Sequence, residues 1–455
     1  MYDLIVIGAG GAGSSCAEKI NNAGKHVALI ERDALGGTCL NHGCDPTKTA
    51  LYSAKILNRA QHGNRYGLNI ADAGYDWRML QQHIRTTQEQ MRGGTQEEAR
   101  RKMLERGIDL IIGSAQFISN REVTVDGRTL QAKQFLIATG AEPTIPEIPG
   151  LQVSGFVTNK NILDLPDQPH SLAIMGAGPV GVEFAQLFAR LGSEVHLFEA
   201  ESQILPKDDP DLVAELSELL EEEGLSISTQ ARITAVSPTV DGKQLTICYD
   251  SGYQEQLVVS ELLLAAGRKP AVESLNLEAA GVQINEGQIV TDDSLQTTIS
   301  HIWAAGDVTS DYPFTHVAWR QGVHVADNIL KGAKRPFDRS PIPWVTYTDP
   351  ELAHVGLTIA QVTEKNTPYR VVSLPLEDVA RALLIGQTGG QIKLLVDEDD
   401  QLLGGHILAP HGGELLGPII LAIQANLPVS SLVDMVWPYP TLSAGLGHAA
   451  GQLDD

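Results

Sequence analysis

The sequence predicts an α/β protein built from two Rossmann-like nucleotide-binding domains and a C-terminal α+β domain, and three observations predict it. A short apolar strand at the N-terminus runs into a glycine fingerprint, GAGGAG, at residues 8–13. A second fingerprint, GAGPVG, follows another apolar strand at residues 176–181. Beyond about residue 335 the pattern changes to strands such as QIKLLV and GGHIL around one apolar helix, ELLGPIILAIQANL.

In the first unit, Tyr2 to Ile7 (YDLIVI) reads as a buried strand. Gly8 makes the tight turn, Gly10 lets the backbone approach a pyrophosphate, and Gly13 lets helix and strand pack closely. The helix runs to about Asn22, and the next strand, HVALI, ends at Glu31, an acid placed to hold ribose hydroxyls. The second unit repeats this with the strand Ser171 to Met175, then Gly176, Gly178 and Gly181, and a strand VHLFE that ends at Glu199. The first glycine and the acid are equally far apart in both copies, so two nucleotide sites are expected in one chain, with electrons passing between two dinucleotides. Glu199 would accept a hydrogen bond from a ribose 2′-hydroxyl and repel a 2′-phosphate. The following AESQILP has no arginine to receive one, which favours NADH over NADPH.

Length and composition bound the function class. A chain of 455 residues, 43% hydrophobic, exceeds what one core supports. A formal charge of −23 argues against nucleic acid or an anionic membrane as partner, since both require a basic face. No apolar run approaches the ~18 residues of a membrane span. The N-terminus enters a strand without a charged leader, so a cytoplasmic protein is expected. Four cysteines are too few for a disulfide scaffold, and a reducing compartment favours a catalytic role for a close pair.

That pair lies in GGTCLNHGCDPTK, from Gly36 to Lys48, where Cys39 and Cys44 are close enough to form a disulfide. Asp45 is expected to cap the helix that carries Lys48, with Pro46 at its first position. Cys44 would then meet the positive end of the helix dipole, which lowers a thiol pKa, while the Asp45 carboxylate would oppose thiolate formation. Further along, helices are expected between Trp77 and Arg106, then a β-meander leading to Gly140. EPTIPEIPG, residues 142–150, reads as a stiff linker, and Asp209 to Glu223 as a Glu-rich helix with a solvated face. Cys16 and Cys248 read as packing residues, His42 as facing water and His316 as structural; no spacing suggests a metal site.

These segments, with ATG at Ala138 to Gly140, GAGPVGVE, AAGRKP from Ala265 and WAAGDV from Trp303, resemble the pyridine nucleotide-disulfide oxidoreductases over essentially the whole chain, in the expected order. The resemblance implies an FAD-binding domain of residues 1–148 and 269–333, an NAD-binding domain of 149–268 and a dimerisation domain of 334–455, hence a homodimer. It implies a redox-active Cys39–Cys44 disulfide, Cys44 facing the flavin and Cys39 attacking an outside acceptor. Lys48 and Glu183 would meet beside the flavin, where a positive charge favours its reduced form. Gly37 and Thr38 would belong to the FAD site, Asp307 would bind the ribityl chain, the Ala115 backbone would contact the adenosine, and Gly140 and Gly267 would close the two nucleotide domains.

Disulfide-reducing members of this family carry HPTxSE near the C-terminus, a histidine proton relay oriented by a glutamate. Here WPYPTLSAG places Tyr439 at the histidine and Ala444 at the glutamate. A phenol with a pKa of about 10 is a poor base at neutral pH, so dithiol exchange should be slow. Mercuric reductases carry a tyrosine there, and AQLFARLGSEV resembles that branch. Their C-terminal cysteine pair and N-terminal metal-binding domain have no counterpart, Cys248 being the last cysteine. The expected activity is electron transfer from NADH through FAD and the disulfide to a small acceptor: a metal ion, a quinone or another oxidant. Two alternatives stand beside it, a dihydrolipoyl dehydrogenase or small-disulfide reductase, and an FAD- and NAD-binding redox sensor with little turnover.

Overall fold

The structure, a computed structural model, describes residues 1–309 and 312–453. The apolar run Tyr2–Ile7 forms β1, the first fingerprint opens helix α1 (Gly11–Asn22), and β2 follows at Val27–Glu31. Next come a short helix α2 (Gly37–His42), the long α3 (Cys44–Gln61), α4 (Trp77–Arg92) and α5 (Gln96–Glu105). The strands β3 (Asp109–Ile112), β4 (Ala115–Ser119), β5 (Glu122–Val125) and β6 (Arg128–Ile137) complete this stretch. They build a seven-stranded sheet in the order β3-β2-β1-β6-β5-β4, with Ile302–Ala304 pairing parallel to β6. Leu4, Ile5 and Val6 are fully buried, as a central parallel strand covered on both faces requires.

The second unit repeats the plan. Ser226–Ser228, Glu194–Phe198, Ser171–Met175 and Glu261–Leu264 lie side by side, all parallel. In both sheets the third, second and first strands are followed by a late strand, so a repeat of sequence is also a repeat of topology. The third glycine shows why the spacing recurs. A Cβ at Gly13 would lie 1.8 Å from the carbonyl oxygen of Gly8, and one at Gly181 would lie 1.9 Å from that of Gly176. The helix can approach its strand this closely only without a side chain.

The expected linker is more than a linker. Its start, Ala141–Pro143, pairs antiparallel with Arg268–Pro270, so the two crossings between the units run side by side as a small ladder. The C-terminal part is a five-stranded antiparallel sheet in the order Trp344–Thr346, Glu351–Gly356, Leu402–Ala409, Gln391–Val396, Arg370–Pro375. Helices Gly412–Ala425 and Ala444–Gly451 cover it, sharing a core that includes Ile392, Leu394, Ile407, Leu416, Ile419 and Leu446.

One ion-pair cluster joins three regions. Arg190, on the second fingerprint helix Pro179–Arg190, grips Glu223 through two bonds of 2.6 and 2.7 Å and reaches Asp349 at 3.2 Å. Lys55 of α3 meets the same Asp349 at 2.7 Å. The Arg190 side chain is only 5% exposed, and its removal leaves Glu223 without its cation and Asp349 with Lys55 alone. Arg190→Ala is expected to cost about 3–5 kcal/mol in urea unfolding. Arg106→Ala, which breaks the exposed pair with Glu18, should cost less than about 1 kcal/mol.

Candidate redox-active site

A cleft of about 310 Å³ opens where the first sheet meets α3 and the second fingerprint helix. Gly8, Gly10, Glu31, Gly37, Thr38, Ala115, Gly140 and Asp307 line it, as do Cys39, Cys44, Lys48 and Glu183. Gly13 stands behind it as the close-packing glycine, and Gly176, Gly178, Gly181, Glu199 and Gly267 belong to the second unit, outside the lining. Tyr439 does not line the cleft of its own chain and is 81% exposed, ahead of the helix that begins at Ala444.

The two strand-end acids are held identically. Glu31 accepts from the Ala9 N–H at 2.8 Å and the Asp33 N–H at 2.9 Å. Glu199 accepts from Ala177 at 2.7 Å and Glu201 at 3.1 Å. Each carboxylate oxygen carries two lone pairs, so both acids keep acceptor capacity for a ribose hydroxyl. Thr139, on the cleft wall, buries a hydroxyl with no partner among the described residues. A Cβ at Gly178 would meet nothing within 4 Å, which leaves the second fingerprint open to a ligand backbone. Burial raises the Asp307 carboxyl above its ordinary value, and Arg268, at 3.8 Å, pulls the other way.

Local folding sets the thiols apart. Cys39 lies within α2, the chain turns at Gly43, and α3 begins at Cys44 itself. The expected start at Asp45 and Pro46 is therefore corrected: Gly43 is the cap residue, no side chain caps the helix, and Asp45 and Pro46 sit in its first turn. The turn at glycine lets the chain enter helical geometry two residues early, and the first-turn N–H groups lack partners, so Pro46 is tolerated there. Both thiols are free in this structure. A hydrogen bond from Cys39 lowers the Cys44 pKa to about 6, helped by Thr315, whose hydroxyl lies 3.5 Å from the sulfur, and by Lys48 one turn on. The same hydrogen bond, followed by burial, pushes the Cys39 thiol up. Asp45 opposes the Cys44 thiolate as expected, but it is outweighed.

Lys48 meets Glu183 at 2.6 Å, with side chains 31% and 4% exposed. Burial alone would depress the ammonium, but the carboxylate more than offsets this and holds its pKa above the ordinary value. The other Glu183 oxygen accepts the Tyr347 N–H at 2.9 Å, and the Tyr347 ring centroid lies 4.8 Å from the Lys48 ammonium. Thr139, Thr315 and Tyr347 were not singled out in the sequence, because hydroxyls and a lone tyrosine carry no spacing signal. His316 bonds the Pro343 carbonyl at 3.0 Å and stacks on Phe314, Cys16 is fully buried, and Cys248 lies 3.3 Å from the Thr234 hydroxyl. Cys16 is thus a packing residue and His316 a structural one, as expected, while Cys248 is only partly buried.

Residues 2–322 match the family model described as pyridine nucleotide-disulphide oxidoreductase, and residues 342–450 match its dimerisation domain. The chain belongs to this family. It is 39% identical over 456 residues to a mercuric reductase of Staphylococcus aureus, covering 100% of this chain and 82% of that protein. It is 33% identical over 449 residues to a dihydrolipoyl dehydrogenase of Chlamydia muridarum, covering 97% and 94%. The solved structure of the HOCl-induced flavoprotein disulfide reductase RclA from Escherichia coli superposes with a TM-score of 0.89 at 32% identity, covering 99% of each chain. Members of the family are reductases and dehydrogenases that use FAD and NAD(P)H, and this chain is an oxidoreductase of that kind. The open fingerprints, paired acids and unpartnered Thr139 fit two dinucleotides. Among the described residues, no helix is long and apolar enough to cross a membrane, and no group of three or more His, Cys, Asp or Glu could hold a metal ion.

Because the pKa of Cys44 is lowered, its thiolate persists at neutral pH and is lost as pH falls through about 6. Ultraviolet thiolate absorbance of the reduced protein should titrate with that midpoint. Lys48→Met should move the midpoint upward by removing a charge that favours the thiolate.

Proposed function

We propose that this oxidoreductase takes two electrons from NADH through FAD to the Cys39–Cys44 pair and delivers them from Cys39 to a small oxidant, a metal ion or a quinone. The observation that carries this reading is the single cleft shared by the first fingerprint, both thiols, the Lys48–Glu183 pair and Val180 of the second fingerprint helix. FAD, when bound, supplies the two-electron relay between nicotinamide and disulfide. Lys48, pinned by Glu183, keeps a positive charge fixed in the cleft beside Cys44. The lowered pKa of Cys44 makes it the thiolate of the pair, while Cys39 stays protonated until an acceptor arrives. Glu199 favours NADH, because backbone N–H groups hold it at the strand end, where its carboxylate can accept from a ribose 2′-hydroxyl and repel a 2′-phosphate.

The acceptor reading is supported by the mercuric reductase relatives and by Tyr439 and Ala444 at the relay positions. Disulfide exchange as in dihydrolipoyl dehydrogenase would lack its histidine base. A homodimer is proposed because exposed apolar side chains crowd the C-terminal part, among them Leu384 at 66%, Leu421 at 61% and Val436 at 98%, and a second copy would cover them. Tyr439 lies on the same stretch, free to face the second copy. With four free cysteines, the chain suits the reducing cytoplasm.

An anaerobic NADH titration tests the reading. Each subunit should take up electrons for both flavin and disulfide, and a long-wavelength thiolate-to-flavin charge-transfer band should appear. Flavin bleaching after one hydride equivalent, with no such band, would remove the thiols from the electron path. In steady state, NADH oxidation should proceed with Hg²⁺ or a benzoquinone well ahead of lipoamide; the reverse order would favour the disulfide reductases.

A further inference from the structure

Cys39, the thiol that must react with the acceptor, needs a group to receive its proton. The relay positions offer none: Tyr439 is a phenol, a poor base at neutral pH whichever subunit's cleft it faces, and Ala444 has no polar side chain. The carboxylate in contact with Cys39 belongs instead to Asp45, whose Oδ1 lies 4.0 Å from the sulfur. Asp45 rides the first turn of α3, where the Thr49 hydroxyl bonds its carbonyl at 2.7 Å. The turn at Gly43 brings this half-buried acid within reach of Cys39.

We propose that Asp45 is the catalytic base for Cys39, taking its proton as the sulfur attacks the acceptor and then releasing it to water. This rests on the reading above that the thiol pair cycles. The asymmetry of the pair supports it. The hydrogen bond that Cys39 gives Cys44, together with burial, keeps Cys39 protonated and the thiolate on Cys44, with a smaller contribution from the Asp45 charge, so the Cys39 proton must be taken up as a new bond to sulfur forms. Burial raises the Asp45 carboxyl above its ordinary value, which moves a carboxylate toward greater basicity, while Lys48 pulls it down. The other titratable groups on the packed segments are Cys39 and His42 of α2, Cys44 and Lys48 of α3, Glu183 on the helix Pro179–Arg190, and Tyr347 beyond Lys48.

With an aromatic disulfide as acceptor the step balances. Cys39 sulfur attacks one acceptor sulfur, its proton passes to Asp45, and one aryl thiolate leaves. The Cys44 thiolate then attacks Cys39 sulfur, closing the protein disulfide and expelling the second aryl thiolate. The two thiol sulfurs are oxidised, the acceptor disulfide is reduced, and Asp45 returns one proton to water.

The test uses the full-length holoenzyme, reduced anaerobically with NADH and mixed in stopped flow with 5,5′-dithiobis(2-nitrobenzoate). Decay of the charge-transfer band reports oxidation of the pair. Beside the loss of the Cys44 thiolate as pH falls through about 6, which every variant should keep, the wild-type rate should fall at acid pH along a separate limb set by Asp45. In Asp45→Asn the neutral-pH rate should fall about 100-fold and that limb should vanish. Asp45→Ser should behave alike should the amide disturb folding, and Asp45→Glu, which keeps a carboxyl, should recover part of the loss. Alkylation of Cys39 by iodoacetamide, followed by mass spectrometry against pH, should lose the same limb without any contribution from the flavin. A wild-type rate and pH profile in both Asp45→Asn and Asp45→Ser would overturn the role of Asp45. Absence of the band in the wild type would instead sink the reading that the thiols cycle.

Discussion

The contact between α3 and the helix Pro179–Arg190 sets the geometry on which the site depends. Lys48 and Lys55, two turns apart on α3, each find an acidic partner at this contact: Glu183 directly, and Asp349, which Arg190 also holds. The four side chains other than Lys48 are between 4% and 11% exposed, so each charge depends on its partner for solvation it no longer has from water. A half-buried pair at one end and a buried network at the other leave α3 little freedom to rotate. Since α3 begins at Cys44, this clamp also fixes the thiol pair against both nucleotide-binding units.

The duplicated units make the same local bargain twice. A glycine turn brings the helix N-terminus over the strand end, and the acid that closes the second strand accepts two backbone N–H groups of the loops beside it. Those hydrogen bonds keep the carboxylate aimed before any ligand arrives, so ribose recognition costs little reorganisation. The paired crossings at Ala141–Pro143 and Arg268–Pro270 then hold the two units together at their only ladder of backbone hydrogen bonds among the described residues.

The cleft is electrostatically distinct from the chain that surrounds it. The protein carries a formal charge of −23, yet the thiols sit beside Lys48, the start of α3 and the Thr315 hydroxyl, all of which favour a negative sulfur. Asp45 is the exception, and the hydrogen bond from Cys39 to Cys44, with the burial of Cys39, divides the pair into a thiolate and a protonated thiol. Two cysteines of the same chemistry thereby acquire different work from their neighbours alone.

Much of the architecture was legible in the order of residues. Strand and helix periods, two glycine fingerprints ending in Glu31 and Glu199, and the Cys39–Cys44 spacing are local signals, because backbone sterics and side-chain alternation act over a few residues. The α3 start at Cys44 lay beyond that range: Asp45 and Pro46 are good capping residues, but the turn at Gly43 took precedence. Only the folded chain brought Glu183 to Lys48, Asp349 to Lys55 and Arg190, and Thr315 to Cys44, across separations of 135, 294, 159 and 271 residues. Sequence determined which chemical groups exist and which backbone elements carry them. Tertiary packing decided which of those groups meet, because burial is what turns a lone lysine or carboxylate into a partner, and burial is a property of the whole fold.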